Sequence, residues 1–214
     1  MPPKRKAVAS GSPARKKTKT EGSSTTKLPD PMHKRQTWAV FLRGVNVGNG
    51  NRITMDKLRA CLERAGYGPV QTVVQSGNVV LRANTHAAAE DVREGVGNAL
   101  DSLGLETQII LRSKAELQTV LEHDPHKDIA DNQSKYLVHL FAEEPGDEKK
   151  NNLLEPFIGD ADNRAIFHGR ELYMWCPNGI SKSPWFKIKF DKVLSENSGT
   201  ARNWRTISAV AALM

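Results

Sequence analysis

Four polar clusters stand where this sequence breaks its hydrophobic runs, and three of them have residue types that can hold an anion. The first is Arg43-Gly44-Val45-Asn46-Val47-Gly48-Asn49-Gly50-Asn51-Arg52, between an apolar run at 38–42 and an amphipathic stretch. Strand, polar loop and helix in that order are a common frame for backbone amides around a phosphate or carboxylate. Arg43, Gly44, Asn46 and Gly48 are its candidate ligand-binding residues. No Lys-Ser/Thr follows the last glycine, and Ile53 stands where the third glycine of a dinucleotide fingerprint belongs. The competing reading is a tight strand-to-helix turn that needs glycine for its backbone.

The second cluster, Gln75-Ser76-Gly77-Asn78, is expected to be a structural hairpin turn, at the opposite end of its sheet from the first loop. The third is Pro177-Asn178-Gly179-Ile180-Ser181-Lys182-Ser183. Ser181 and Lys182 are adjacent on a loop and make no nucleophile–base pair. Gly179, Lys182 and a helix start at Ser183 would suit an anion, and a plain helix cap is the alternative. The fourth is Gly199-Thr200-Ala201-Arg202-Asn203-Trp204. Thr200 is expected to cap a last helix, with Arg202 and Asn203 in its first turn and Trp204 in the core. An arginine there meets a helix end of like sign, so it is either held by a carboxylate or open to an anion.

Other reactive side chains carry less. His123, Asp124, His126 and Asp128 have metal-ligand types, but a proline separates the histidines and no partner motif exists, so no metal or cofactor is expected. Cys61 and Cys176 are expected as buried thiols in a reducing compartment. His139 alternates within a strand and is expected to be packed or solvated.

The elements that position these clusters follow from periodicity. A strand over about 37–43 precedes a helix capped by Thr54, with Met55, Leu58, Leu62 and Ala65 stepping by three and four. Strands over about 69–75 and 78–83, a helix capped by Thr85 and a strand at 107–111 follow. The first half is thus β-α-β-β-α-β, the ferredoxin-like unit. Ser113-Lys114-Ala115-Glu116 is a capping box for a short helix. Residues 124–134 divide the halves. The second half gives a strand at 136–141, a helix at 147–157, a hairpin of 164–167 with 171–175, a helix from Ser183 and a last helix from about 201. Two ferredoxin-like α+β subdomains with antiparallel sheets, 37–124 and 125–214, are expected.

Charge is divided unevenly. The chain of 214 residues has a net charge of +7, but residues 1–36 carry +8 and the rest −1. The tail has almost no large apolar side chain and is expected to be disordered. Its two basic clusters, Lys4, Arg5 and Lys6, then Arg15, Lys16, Lys17 and Lys19, are candidates for a nuclear import receptor or for weak polyanion contact. No apolar run approaches the roughly 18 residues of a membrane span, and no secretory segment follows the first methionine. A soluble protein of nucleus or cytoplasm is expected.

The clusters also carry a resemblance. Leu42-Arg43-Gly44-Val45-Asn46-Val47-Gly48, Met55-x-x-Leu58-Arg59 and Gln75-Ser76-Gly77-Asn78-Val79 resemble the signature of the domain-of-unknown-function 1697 (DUF1697) family. Leu172-Tyr173 through Pro177-Asn178-Gly179-Ile180, and Thr200-Ala201-Arg202-Asn203-Trp204-x-Thr206, resemble its C-terminal signatures. The resemblance spans about 37–214 and implies two ferredoxin-like subdomains, as the element order does; no activity comes with it. The family is widespread in bacteria and lacks the basic tail, which suggests a eukaryotic, nuclear adaptation. This chain departs from the family's Gly-Gly-Lys at Gly48-Asn49-Gly50-Asn51-Arg52, from an acid at Asn178, from Ser-Lys-Leu at Ser183-Pro184-Trp185 and from a late basic residue at Ala209.

The leading expectation is a binding module for an anionic ligand, with nucleic acid as candidate partner and Arg43, Lys182 and Arg202 on phosphates. The alternatives are an enzyme acting on a phosphorylated or carboxylated small molecule, and a protein-interaction domain.

Overall fold

The apolar runs at 38–42 and 136–140 become central strands of two sheets, because a strand apolar at every position must be covered on both faces. A computed structural model describes residues 35–48, 51–84, 86–194 and 198–214. The tail's expected disorder and import clusters, the Thr85 cap and the loop residues Asn49 and Gly50 lie outside the described residues.

The first half runs β1 (Arg35–Leu42), α1 (Met55–Arg64), β2 (Gln71–Val73), β3 (Asn78–Asn84), α2 (Ala89–Asp101), β4 (Ile109–Ser113) and α3 (Lys114–Glu122). The second runs β5 (Tyr136–Leu140), α4 (Asp147–Leu154), β6 (Arg164–His168), β7 (Glu171–Trp175), α5 (Phe190–Leu194), β8 (Thr200–Asn203) and α6 (Trp204–Ala211). The sheets have strand orders β2-β3-β1-β4 and β6-β7-β5-β8, each antiparallel between neighbours. Both follow the same permutation of chain order, so the expected repeat is a repeat of topology. These elements form one compact unit. No described helix is long and apolar enough to cross a membrane.

Strand alternation divides the core into three. Trp38, Val40 and Leu42 of β1 face α1 and α2, while Ala39 and Phe41 face the second half. In β7, Leu172 and Met174 face α4 and α5, and Tyr173 and Trp175 face the first half. The middle cluster is closed by Leu117 and Val120 of α3 and by Trp204, Ile207 and Val210 of α6. Trp204 lies parallel to Tyr136 with ring centres 4.7 Å apart. The two halves therefore share a core, although each has its own sheet.

Three expectations change. Residues 200–203 are a strand, because buried β5 would otherwise leave one edge of backbone groups unpaired; Leu140 pairs with Thr200 and Val138 with Arg202. Helix α6 is consequently capped by Asn203, whose Oδ1 accepts from the Thr206 amide at 2.9 Å, and not by Thr200. The turn at 74–77 lies at the same end of the sheet as the exit of β1. Both β1 and β2 run antiparallel to β3 and so parallel to each other, and the Leu42 amide donates to the Gly77 carbonyl at 2.8 Å. Helix α2 starts at Ala89, where Asp91 accepts from the Ala88 amide at 2.8 Å.

An ion pair also crosses between the sheets. Arg112 of β4 is 1% exposed, donates to Glu171 of β7 at 2.8 Å, and reaches the carbonyls of Leu111 and Phe141, each at 2.7 Å. Burial pulls its guanidinium below the usual arginine range, and the neighbouring Glu171 carboxylate opposes that shift. Removing one partner of such a pair strands a buried charge. Glu171→Ala should cost about 3–5 kcal/mol of stability, read as a lower urea midpoint. Arg112→Met with Glu171→Leu should recover most of that loss.

Candidate functional site

Three of the four polar clusters converge at the end of the first sheet where β1 exits. The loop after β1 turns on residues with left-handed backbone: Gly44 at φ 65°, Asn46 at 56° and Gly48 at 61°. Asparagine tolerates that region because its side chain can bond locally. Here Asn46 Nδ2 donates to the carbonyls of Ile53 at 2.7 Å and Gln75 at 2.8 Å, and its Oδ1 accepts from the Ile53 amide at 2.9 Å. Asn46 thus ties the loop to the β2–β3 turn. In that turn Gly77, at φ 72°, admits no side chain: a Cβ would come within 2.9 Å of Leu42 and 3.0 Å of Val45.

Arg202 enters from β8 and spends its guanidinium on this junction. Nε donates to Asn78 Oδ1, one terminal nitrogen to Thr200 Oγ1 at 2.6 Å and the Ala201 carbonyl at 2.8 Å. The other terminal nitrogen donates to the carbonyls of Leu42 at 2.6 Å and Ser76 at 2.9 Å. A guanidinium has five N–H groups, so none remains for an anion. The residue is 8% exposed, and burial without a carboxylate partner lowers its pKa to about 10, which still leaves it charged at neutral pH. Both expected roles for Arg202, held by a carboxylate or open to an anion, give way to a third. It is a clamp of neutral oxygens drawn from both halves.

The remaining candidates separate. Arg43 is paired with Asp191 of α5 at 2.8 Å, a carboxylate that is 72% exposed. Asn203 is occupied as the α6 cap. Lys182 is exposed on a single 3-10 turn at 180–182 and does not line the cleft described next. Cys61 and Cys176 are buried free thiols, as expected. His139 is packed between Phe141 and Phe190, with ring centres 4.6 and 4.1 Å away, and pairs its Nε2 with the Ser198 carbonyl at 2.7 Å.

Beside the junction lies a cleft of about 680 Å³ at the start of α1. Asn46 and Gln75 form its inner side, Thr54 and Lys57 come from the helix, and Arg52 comes from the loop. Thr54 Oγ1 accepts from the Lys57 amide at 3.3 Å, as a cap should. The amides of Met55 and Asp56, first in the helix, have no acceptor one turn earlier. Arg52 spends one terminal nitrogen on the Gly48 carbonyl at 2.8 Å. The acid in the lining, Asp56, is tied to Arg59. Arg52 and Lys57 were not singled out from the sequence; the departure from the family pattern at Arg52, where the loop cation shifts, was the available signal.

The model of the family described as "Protein of unknown function (DUF1697)" matches residues 35–173. That span holds the three N-terminal signatures; the stretches around 177–180 and 200–206 lie beyond it. The solved structure of the conserved bacterial protein SP0830 from Streptococcus pneumoniae superposes with a TM-score of 0.64 at 21% identity, over 84% of this chain and 98% of that one. That likeness is one of fold. No curated protein matches the chain.

Two stability outcomes follow from this geometry. Arg202→Lys offers three donors to five buried acceptors, and should cost about 2–5 kcal/mol by urea unfolding. His139 is driven down to about 3 by burial, with the Arg43 and Arg202 charges acting the same way and the Ser198 carbonyl opposing. Its folded pKa lies below the ordinary 6.5, so the unfolded chain takes the proton first. Its contribution is therefore complete above pH 6.5 and is lost as pH falls toward 3, at up to about 1.4 kcal/mol per pH unit. His139→Gln should flatten that part of a stability–pH curve.

Proposed function

The chain belongs to the DUF1697 family of proteins of unknown function, and we propose that it is a binding module for an anionic ligand held in the cleft at the start of α1. The observation that supports this reading is the meeting of Arg52 and Lys57, which have no carboxylate partner among the described residues, with the first amides of a helix in one concavity. Backbone amides and the helix dipole favour negative charge at that point, and charge-assisted hydrogen bonds there are the strong kind. A cleft of about 680 Å³ suits a small molecule bearing a phosphate or carboxylate better than a polymer.

Binding is favoured over catalysis by the lining itself. Asp56 is the acid there among the described residues, and it is an exposed carboxylate paired with Arg59, so the lining offers no buried general base. Arg43 and Arg202, which an enzyme of the expected kind would use to orient substrate, are committed to Asp191 and to the clamp. The tail's basic clusters would add nuclear import to this role.

A thermal-shift screen of nucleotides, phosphosugars and dicarboxylates tests the proposal. A ligand at 100 times its Kd should add about 2.7 kcal/mol, a shift of roughly 5–10 °C for a chain of this size. Arg52→Ala with Lys57→Ala should abolish that shift while leaving the ligand-free melting temperature within about 2 °C, because both side chains are exposed. A shift that survives the double substitution would overturn the reading.

A further inference from the structure

A second group of cations lies outside the lining of the cleft. Residues 177–192 hold four lysines and one acid, in a chain that beyond its tail has a net charge of −1. Lys182, Lys187, Lys189 and Lys192 are all exposed, and no carboxylate pairs with them among the described residues. The one acid of the segment, Asp191, is taken by Arg43. In the middle of the lysines stands Phe186, 64% exposed.

The segment is held in place by its neighbours. Ser183 is 1% exposed and donates Oγ to the Ile180 carbonyl at 2.7 Å, and Pro184 opens the 3-10 turn at 184–187. Trp185 turns inward against Phe190, with ring centres 6.0 Å apart, which leaves the adjacent Phe186 ring outside the core. A lone exposed aromatic is ordinary on a protein surface. One anchored by a packed tryptophan, within six residues of four exposed lysines, has the two parts of a single-strand site: a ring for a base to stack on and cations for the phosphates.

We propose that the ridge at 182–192 is a contact surface for single-stranded nucleic acid, with Phe186 stacking on one base and the flanking lysines meeting its phosphates. Charge complementarity favours this occupant over a neutral peptide, which would gain nothing from the four exposed lysines. A membrane surface shares the charge but needs a wider apolar face than one exposed ring offers. None of Lys182, Phe186, Lys187, Lys189 and Lys192 lines the cleft, so this inference does not rest on the cleft's ligand.

Anisotropy titration of labelled oligo(dT) with the full chain tests it. Any polyanion binding by the tail would run on charge and not on Phe, Tyr or Trp stacking, since residues 1–34 contain none of these. Stacking is therefore the decisive readout. Phe186→Leu should weaken binding about 5- to 150-fold, and Phe186→Tyr should keep it. Lys187→Ala with Lys189→Ala should lower the slope of log K against log salt by about 1.4. Equal affinity for the leucine and tyrosine variants, with an unchanged slope, would overturn the proposal and leave the tail as the binder. Phe186-dependent binding to phosphatidylserine vesicles without oligo(dT) binding would overturn it in favour of a membrane. The cleft's melting shift, read on the Phe186→Leu protein, keeps failure of one reading distinct from failure of the other.

Discussion

Burying a guanidinium without a counter-charge is among the more costly things a small fold can do, and this fold does it at the junction of its two halves. The cost is offset only if every N–H finds an oxygen. Arg202 achieves that with carbonyls 160 and 126 residues away, at Leu42 and Ser76, and with the Asn78 side chain. The arrangement is demanding: moving β8 by one residue would turn the arginine to the other face and strand the charge. Arg202 therefore sets the register of β8 on β5 and the position of that strand against the first sheet. Gly199 completes the constraint, since a Cβ there would sit 2.4 Å from the Leu140 carbonyl.

A second charged residue repeats the theme with a different solution. Arg112 also crosses from one sheet to the other, but it meets a carboxylate, Glu171, as well as carbonyls. Two buried arginines, each reaching from one half into the other, explain why the repeated topology yields one unit. An apolar middle cluster alone would tolerate sliding of one sheet on the other, because dispersion and hydrophobic contact are not directional. Directional hydrogen bonds from buried cations are. The polar groups select one relative placement; the apolar groups supply the driving force.

What could be read in the sequence follows the same division. Helix α1 and its Thr54 cap, the strands at 136–140 and 171–175, and the capping box at Ser113 were legible because local signals decide them. Strand β8 was not, since Thr-Ala-Arg-Asn has no apolar alternation and is a strand only because β5 needs an edge partner. The end of the sheet on which the 74–77 turn sits was misplaced although the element order was right. The parallel relation of β1 and β2 fixes it, and that is a fact of topology, not of residue type. Arg202 was singled out as a cation at a helix N-terminus, but it lies in β8, and its acceptors are mostly backbone carbonyls, which leave no mark on the sequence. Asn78 and Thr200 were the two side chains that could have hinted at them.

A chain of hydrogen bonds joins the clamp to the cleft, which would give the buried network a part in any ligand the proposed site took. Arg202 grips the carbonyl of Ser76; the neighbouring carbonyl, Gln75, accepts from Asn46; and Asn46 in turn receives the Ile53 amide at the mouth of α1. Each link is a hydrogen bond to a turn or loop backbone, so the position of Arg52 and of the first amides of α1 is inherited from a residue in the last strand. A ligand site built on a loop is ordinarily loose. Here the loop is pinned at both ends by groups that the core holds, and a pre-set loop spares a ligand part of the ordering cost of binding. Of the residues that looked like ligands for an anion, Arg202 thus acts one step behind the cleft, and Asn46, which lines it, spends its side chain on the backbone that presents Arg52 and Lys57.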